Sequence, residues 1–306
     1  MFLSIIVPAF NEEDFIVGCL DSVRDVLGAT DVKYEIIVVN NGSTDGTTGL
    51  LSEMNDVTTL SIDRASVAKA RNTGAEVAKG RVIAFLDADV VLERAWGKCI
   101  EKLSGGSEGL FVTGYQYGVR DNPSWIEKYW FGDMEFDHIS GGNLIVSRDA
   151  FSVLGGFDST LKTGEDVDFC DRAKREQNIE FFTDSEFQCI HLGYPRNIPQ
   201  FVKRELWHGE GDFRSISDFL KSKVAIVAMI YGLLSCLGVG GLIIGEWLLS
   251  AITFLVIVAL NYVISGVRFG DWGGRACLFK NLINYIYFLS RFFSFFKAIK
   301  NRHLSY

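Results

Sequence analysis

A mostly parallel α/β domain followed by an α-helical membrane region is the fold class this sequence predicts, and three observations predict it. Short apolar runs alternate with helix-like segments along the N-terminal third. One of those runs, Val82 to Leu86, is apolar without interruption, the pattern of a strand covered on both faces. Farther on, Val224–Gly245 and Trp247–Val267 hold 22 and 21 residues without a charge, and about 20 apolar residues span a bilayer as a helix.

The first strand covers Phe2 to Val7, and Pro8 is expected to stop it because proline lacks a ladder donor. Asn11 through Asp14 then offer an N-cap and acidic first-turn residues for a helix running to about Leu27. A second apolar strand, Tyr34 to Val39, ends in the polar turn Asn40-Asn41-Gly42-Ser43-Thr44-Asp45-Gly46-Thr47, which opens a second helix. A weaker strand spans Val57 to Ile62. The helix beginning at Ala65 is rich in small residues that can lie close against a sheet. The Val82–Leu86 strand follows, and this alternation means a parallel sheet with helices on both faces.

The next part is less regular. Gly109 to Tyr117 reads as a strand, and the stretch 121–133 carries the aromatic cluster Trp125, Tyr129, Trp130 and Phe131. Ser140-Gly141-Gly142-Asn143 precedes an apolar run. Gly155-Gly156-Phe157-Asp158 ends a short helix, and Gly164-Glu165-Asp166-Val167-Asp168 begins another. Acids in a first helical turn ordinarily balance the helix dipole, but Glu165, Asp166 and Asp168 together exceed that need. Two short strands are expected between Phe181 and His191.

Lys221 and Lys223 precede the first uncharged stretch, and Arg268 and Arg275 follow the second. The two stretches read as a transmembrane hairpin with both ends in the cytoplasm. Cys277 to Phe296 mixes many aromatic residues with Lys280, Asn281, Asn284 and Arg291, which suits a helix lying in the membrane interface. The domain reading is therefore 1–210 for the α/β domain, 211–223 for an amphipathic juxtamembrane linker, 224–267 for the hairpin and 268–306 for a basic, aromatic interfacial helix. A cell-membrane, multi-pass protein with its α/β domain in the cytoplasm follows.

Composition removes several function classes. A net charge of −8 offers no basic stripe for nucleic acid. Six scattered cysteines with no C-x-x-C argue against a zinc cluster or a secreted disulfide framework. There is no G-x-G-x-x-G after the first strand and no G-x-x-x-x-G-K-[ST], so neither a dinucleotide fold nor a P-loop is supported. What remains is Asp87-Ala88-Asp89 at the carboxyl end of a buried strand, where open α/β sheets gather ligands. Two hard oxygen donors there suit Mg²⁺ or Mn²⁺ carrying a phosphorylated substrate.

Ser4-Ile5-Ile6-Val7-Pro8-Ala9-Phe10-Asn11-Glu12-Glu13, Val38-Val39-Asn40-Asn41-Gly42-Ser43, Ala70-Arg71-Asn72-Thr73-Gly74, Phe85-Leu86-Asp87-Ala88-Asp89, Gly155-Gly156-Phe157-Asp158 and Gly164-Glu165-Asp166-Val167-Asp168 stand in one order. That ordered set resembles the family 2 glycosyltransferases, which have the GT-A fold, over about residues 1–210. The resemblance implies a nucleotide-diphosphate sugar donor, with a UDP-sugar as first choice, and a divalent metal, Mn²⁺ or Mg²⁺. By position, Pro8, Ala9, Asn11, Glu12, Asn41, Arg71, Asp87, Ala88 and Arg204 would border the nucleotide. Asn41 stands where many members have Asp, which leaves the base open, since an amide both donates and accepts. Asp89 and Asp87 would serve the metal, joined by His191. Asp166 would be the base that takes the acceptor proton, and Glu165 would bind the acceptor. A single base implies inversion at the anomeric carbon. The processive synthases carry Q-x-x-R-W. Gln200 and Arg204 are one residue too far apart for it, which favours addition of one sugar per event.

The leading expectation is thus a membrane-bound, metal-assisted, inverting hexosyltransferase acting on a lipid-linked sugar or glycan hydroxyl. Two rivals stand beside it: transfer to polyprenyl phosphate itself, and a non-catalytic membrane partner with a degenerate nucleotide site. Homo-oligomers through the Phe-rich C-terminal helices are left open.

Overall fold

The computed structural model describes residues 2–106, 109–132, 138–161, 163–213 and 215–303. The end of the 121–133 aromatic stretch and the last residues of the C-terminal segment lie outside them. The chain divides into two compact units, one of residues 1–120 and 135–193, the other of residues 121–134 and 194–306.

The first unit is built on a seven-stranded sheet. Its strands are β1 (Leu3–Ala9), β2 (Tyr34–Asn41), β3 (Val57–Ile62), β4 (Val82–Leu86), β6 (Phe111–Gly114), β7 (Asn143–Ser147) and β8 (Glu180–Phe181), and a separate ribbon pairs β5 (Val90–Leu92) with β9 (Cys189–His191). The order is β3-β2-β1-β4-β7-β6-β8. β1, β2, β3 and β4 run parallel, whereas β7 pairs antiparallel with both β4 and β6. The helices are α1 (Ile16–Gly28), α2 (Thr47–Ser52), α3 (Val67–Val77), α4 (Arg94–Gly106), α5 (Arg148–Val153) and α6 (Glu165–Arg175).

Strand alternation sorts the core into two layers. Leu3, Ile5 and Val7 of β1 meet Ile16, Leu20, Val23 and Leu27 of α1 on one face. Ile6, with Ile83 and Phe85 of β4, meets Ala70 of α3 and the rings of Phe157 and Phe169 on the other. β4 is buried throughout, as its unbroken apolar run requires.

Two local expectations are corrected. β1 does not stop at Pro8: Pro8 and Ala9 stay in register with Val39 and Asn40 of β2. Pairing to β4 already ends at Ile6, so only one side of the strand still calls for donors there. Asn11 to Asp14 do not cap α1, whose N-cap is Phe15, without a side-chain bond. Instead they tie the first loop to the second. Asn11, at φ 57°, accepts from Thr44 N–H at 2.8 Å, and Glu12 N–H donates to Thr47 Oγ1 at 2.8 Å.

The second unit holds a π-helical turn, Glu127–Phe131, and α7 (Ile198–His208), α8 (Ile216–Lys221), α9 (Lys223–Ile244), α10 (Trp247–Phe269) and α11 (Gly274–His303). α9 and α10 have 22 and 23 residues and are long and apolar enough to cross a membrane, with 22% of the most apolar stretch of each buried. At about 1.5 Å per residue each reaches about 33 Å. Gly245, at φ 81°, closes α9 before the turn to α10. α11 is one continuous helix packed on α7, α9 and α10. Three of its polar residues turn inward: Lys280 and Asn284 are buried, with Lys280 Nζ 3.3 Å from Asp271, and half-buried Arg291 is bound to Glu205. Their partners lie outside α11, 9 to 86 residues away, which is why local pattern reads them as interfacial.

Candidate active site

The site grows from the end of β4. Asp87 follows its last residue, and the turn through Ala88 and Asp89 leads into β5. The Ala88 methyl is buried in the core, which anchors the turn between the two acids. β5 pairs antiparallel with β9, Val90 opposite His191, so the ribbon delivers His191 to Asp89. His191 Nε2 lies 3.5 Å from Asp89 Oδ2. Asp87, Asp89 and His191 each present a ligand atom within 4.8 Å of the others. Two carboxylates and an imidazole form a donor set that fits a divalent ion, and imidazole favours Mn²⁺ over Mg²⁺.

Asp87 is held on both oxygens. Oδ1 accepts from Arg71 Nη2 at 2.8 Å, and Oδ2 accepts from the Tyr117 hydroxyl at 2.7 Å. Burial penalises its charge, but Arg71, the Tyr117 hydroxyl and His191 outweigh that and hold its carboxyl below the usual range. Arg71 projects from α3 and is buried; its Nη1 donates to Glu165 Oε1 at 2.6 Å. One guanidinium therefore joins the Asp87 turn to the first turn of α6. Burial and the neighbouring Asp166 raise the Glu165 carboxyl against the pull of Arg71. Asp166 Oδ2 accepts from Gly141 N–H at 3.1 Å and lies 4.0 Å from His138 Nε2.

Glu12 reaches the same edge from the loop after β1. Burial first, then Asp89 and Asp87, push its carboxyl up from 4.5 to about 8. The cluster thus has more acid than its arginine neutralises.

Close approach explains two glycines. A Cβ on Gly142 would stand 2.0 Å from Asp87 Cγ, and one on Gly193 would stand 1.9 Å from Asp89 Oδ2. Both positions exclude any larger residue while the acids keep these places.

Most residues expected at the site gather in the first unit: Pro8, Ala9, Asn11 and Glu12 after or within β1, Asn41 at the end of β2, then Arg71, Asp87, Ala88, Asp89, Glu165, Asp166 and His191. Asn41 is committed to backbone. It accepts from Ala65 N–H at 2.8 Å and donates to Ala65 O at 3.0 Å, a two-way clamp an ionised Asp could not make. Arg204 belongs to the second unit, where it binds Glu205 at 2.5 Å and lies over the Phe131 ring. Sequence reasoning missed Tyr117, Gly142, Gly193 and His138. The Gly-Gly-Asn string before β7 was a usable signal for Gly142; nothing local marks the others.

Residues 4–154 match the model of glycosyl transferase family 2. The glycosyltransferase AglE of Haloferax volcanii is 30% identical over 227 residues, which cover 70% of this chain and 73% of that protein. The chain belongs to glycosyl transferase family 2. A second relative, the UDP-Glc:alpha-D-GlcNAc-diphosphoundecaprenol beta-1,3-glucosyltransferase WfaP of Escherichia coli, is 37% identical over 90 residues, covering 28% of this chain and 35% of WfaP. Among solved structures, the mannosyltransferase PcManGT of Pyrobaculum calidifontis, in complex with GDP-Man and Mn²⁺, matches at a TM-score of 0.55 and 16% identity, over 98% of this chain and 87% of that one. The shared GT-A-type fold is what that likeness shows. The chain is a glycosyltransferase, and its Asp87 and Asp89 follow the carboxyl end of β4.

Proposed function

We propose that this glycosyltransferase moves a hexosyl group from a nucleoside-diphosphate sugar, with a UDP-sugar as first choice, to a hydroxyl of a lipid-linked sugar or glycan, with inversion. The observation that carries the reading is the Arg71 bridge, which gathers the Asp87–Asp89–His191 donor set and the Glu165–Asp166 pair at one sheet edge.

Asp89, Asp87 and His191 would hold a divalent ion, Mn²⁺ or Mg²⁺. When bound, such an ion supplies positive charge against the diphosphate that leaves. Arg71 keeps Asp87 aligned from one side and Tyr117 from the other. Asp166, oriented by the Gly141 N–H, accepts the proton of the acceptor hydroxyl. The acceptor oxygen then bonds to the anomeric carbon as that carbon's bond to the diphosphate oxygen breaks, and one base with one displacement inverts the centre. Glu165, fixed by Arg71, borders the acceptor.

The lipid-linked acceptor draws support from α9 and α10, which read as a hairpin in the cell membrane with the first unit on the cytoplasmic side. WfaP, which by its name acts on a diphosphoundecaprenol-linked sugar, is a relative of the same kind. The domain reading of 1–210, 211–223, 224–267 and 268–306 is kept as a proposal, with 268–306 packed on the hairpin.

Asp166→Asn tests the base. Donor binding should persist while transfer falls about 10²–10⁴-fold. Transfer at the wild-type rate would place the base elsewhere.

A further inference from the structure

Among the described residues, four lysine or arginine side chains of the second unit are buried or half-buried: Arg204, Arg268, Lys280 and Arg291. Three have carboxylates. Arg204 and Arg291 share Glu205, with Asp212 also on Arg291, and Lys280 has Asp271. Arg268 has no carboxylate partner among the described residues. Its Nη1 donates to Asn284 Oδ1 at 3.1 Å, and its guanidinium carbon lies 4.7, 4.6 and 5.9 Å from the ring centroids of Trp130, Tyr287 and Phe288. Ring faces steady a cation without neutralising it. A guanidinium carries five N–H donors in a rigid fork, and that fork matches phosphate oxygens bidentately.

The arginine sits in the last turn of α10, beside Phe269. Charge at or near a hydrocarbon layer is costly and marks function by default. A string of buried amides leads away from it. Asn284 donates to Asn261 Oδ1 at 2.8 Å, and Asn261 donates to Asn281 O at 2.7 Å. Asn261 and Asn281 form the polar floor of a cleft of about 370 Å³ between α10 and α11, walled by Phe254, Val258, Leu278 and Leu282. Asn261 and Arg268 are seven residues apart, so they share one face of α10. An apolar cleft and a cation with no carboxylate partner among the described residues are thus joined along one helix face.

We propose that α10 and α11 bind a phosphate-bearing membrane lipid, with the lipid phosphate on Arg268 and its hydrocarbon chain in the cleft. The charge complementarity selects the phosphate, and the exposed apolar walls select the chain. This inference rests on the membrane reading above and deepens it: the bound lipid is either the phosphorylated carrier of the acceptor or an anionic phospholipid.

The test is the melting temperature of the full-length protein in neutral detergent, titrated with polyprenyl phosphate, phosphatidylglycerol, polyprenol and inorganic phosphate. The phosphorylated lipids should raise it, and polyprenol and inorganic phosphate should not. A response to polyprenyl phosphate alone assigns the site to the acceptor carrier; an equal response to phosphatidylglycerol assigns it to bulk headgroups; both support the site. Arg268→Gln should weaken lipid binding at least tenfold, and Arg268→Lys, which keeps the charge and loses the fork, should weaken it less. Leu282→Trp fills the cleft without touching Arg268 and should weaken long-chain binding, whereas Arg275→Gln, at an exposed position, should change nothing. Wild-type affinity in both Arg268 variants, or a polyprenol response equal to that of its phosphate, would overturn the proposal. A wild-type protein that leaves the membrane fraction without detergent would instead overturn the membrane reading beneath it.

Discussion

Each unit buries an arginine-centred ion network, and the two are finished differently. In the second unit Glu205, 1% exposed, takes Arg204 at 2.5 Å and Arg291 at 2.9 Å, while Arg291 also takes Asp212 at 3.2 Å. Two cations face two acids. Burial alone would raise the Glu205 carboxyl, yet Arg204 and Arg291 hold it below the usual range. His208, beside them, is half-buried, and desolvation with the nearby arginines pushes it down to about 3, so it adds no charge. In the first unit Arg71 serves Asp87 and Glu165, while Asp89, Asp166 and Glu12 crowd the same edge. That network keeps a surplus of negative charge, which adds to burial in raising the Glu12 carboxyl to about 8. A closed network holds a structure together. An acid-rich one is a place for a cation and the phosphates it carries.

The contrast can be broken by substitution. Glu205→Ala leaves two arginines without their shared acid and should cost about 3–5 kcal/mol of stability, the usual toll of removing one partner from a buried pair. Thermal unfolding in detergent reads it, and Mn²⁺ should restore none of the loss. Arg71→Met should also destabilise, because Asp87 and Glu165 then face each other across an uncompensated site, but here added Mn²⁺ should recover part of the loss. Equal metal response in the two variants would erase the distinction.

A smaller effect sharpens it. The Glu12 carboxyl is raised in the folded state, so between pH 4.5 and about 8 the folded protein holds a proton the unfolded chain has released. Stability of the metal-free protein should therefore fall as pH rises through that window. Glu12→Gln should flatten the slope, and so should Mn²⁺. A slope unchanged by either would mean the acids do not sense one another.

Much of the first unit could be read from the sequence because its strands are buried on both faces. β1 and β4 announce themselves by apolar runs, and Asp87 and Asp89 by their place after one. The Asn11–Asp14 loop misled for a physical reason: Asn and Glu side chains satisfy a neighbouring loop as readily as a helix terminus. β5 and β9 have three residues each, and their pairing joins segments about a hundred positions apart, so neither the ribbon nor its delivery of His191 beside Asp89 has a local signature. Tyr117 is hidden likewise, since its contacts with Asp87, Gly142 and the His191 ring all join segments distant in the chain. In α11 the local pattern carries the composition but not the partners of its polar side chains. Lys280, Asn284 and Arg291 look like surface residues until Asp271, Asn261 and Glu205 are brought to them.

The acid surplus at the β4 edge is best examined by calorimetric titration of the detergent-solubilised full-length protein with UDP-, GDP- and dTDP-sugars, first with Mn²⁺ and then with chelator, in wild type and Asp89→Ala. One nucleotide class should bind with Mn²⁺ and be lost both in chelator and in Asp89→Ala. Donor binding that survives chelator and the substitution alike, in folded protein, would contradict a cation site at Asp87, Asp89 and His191.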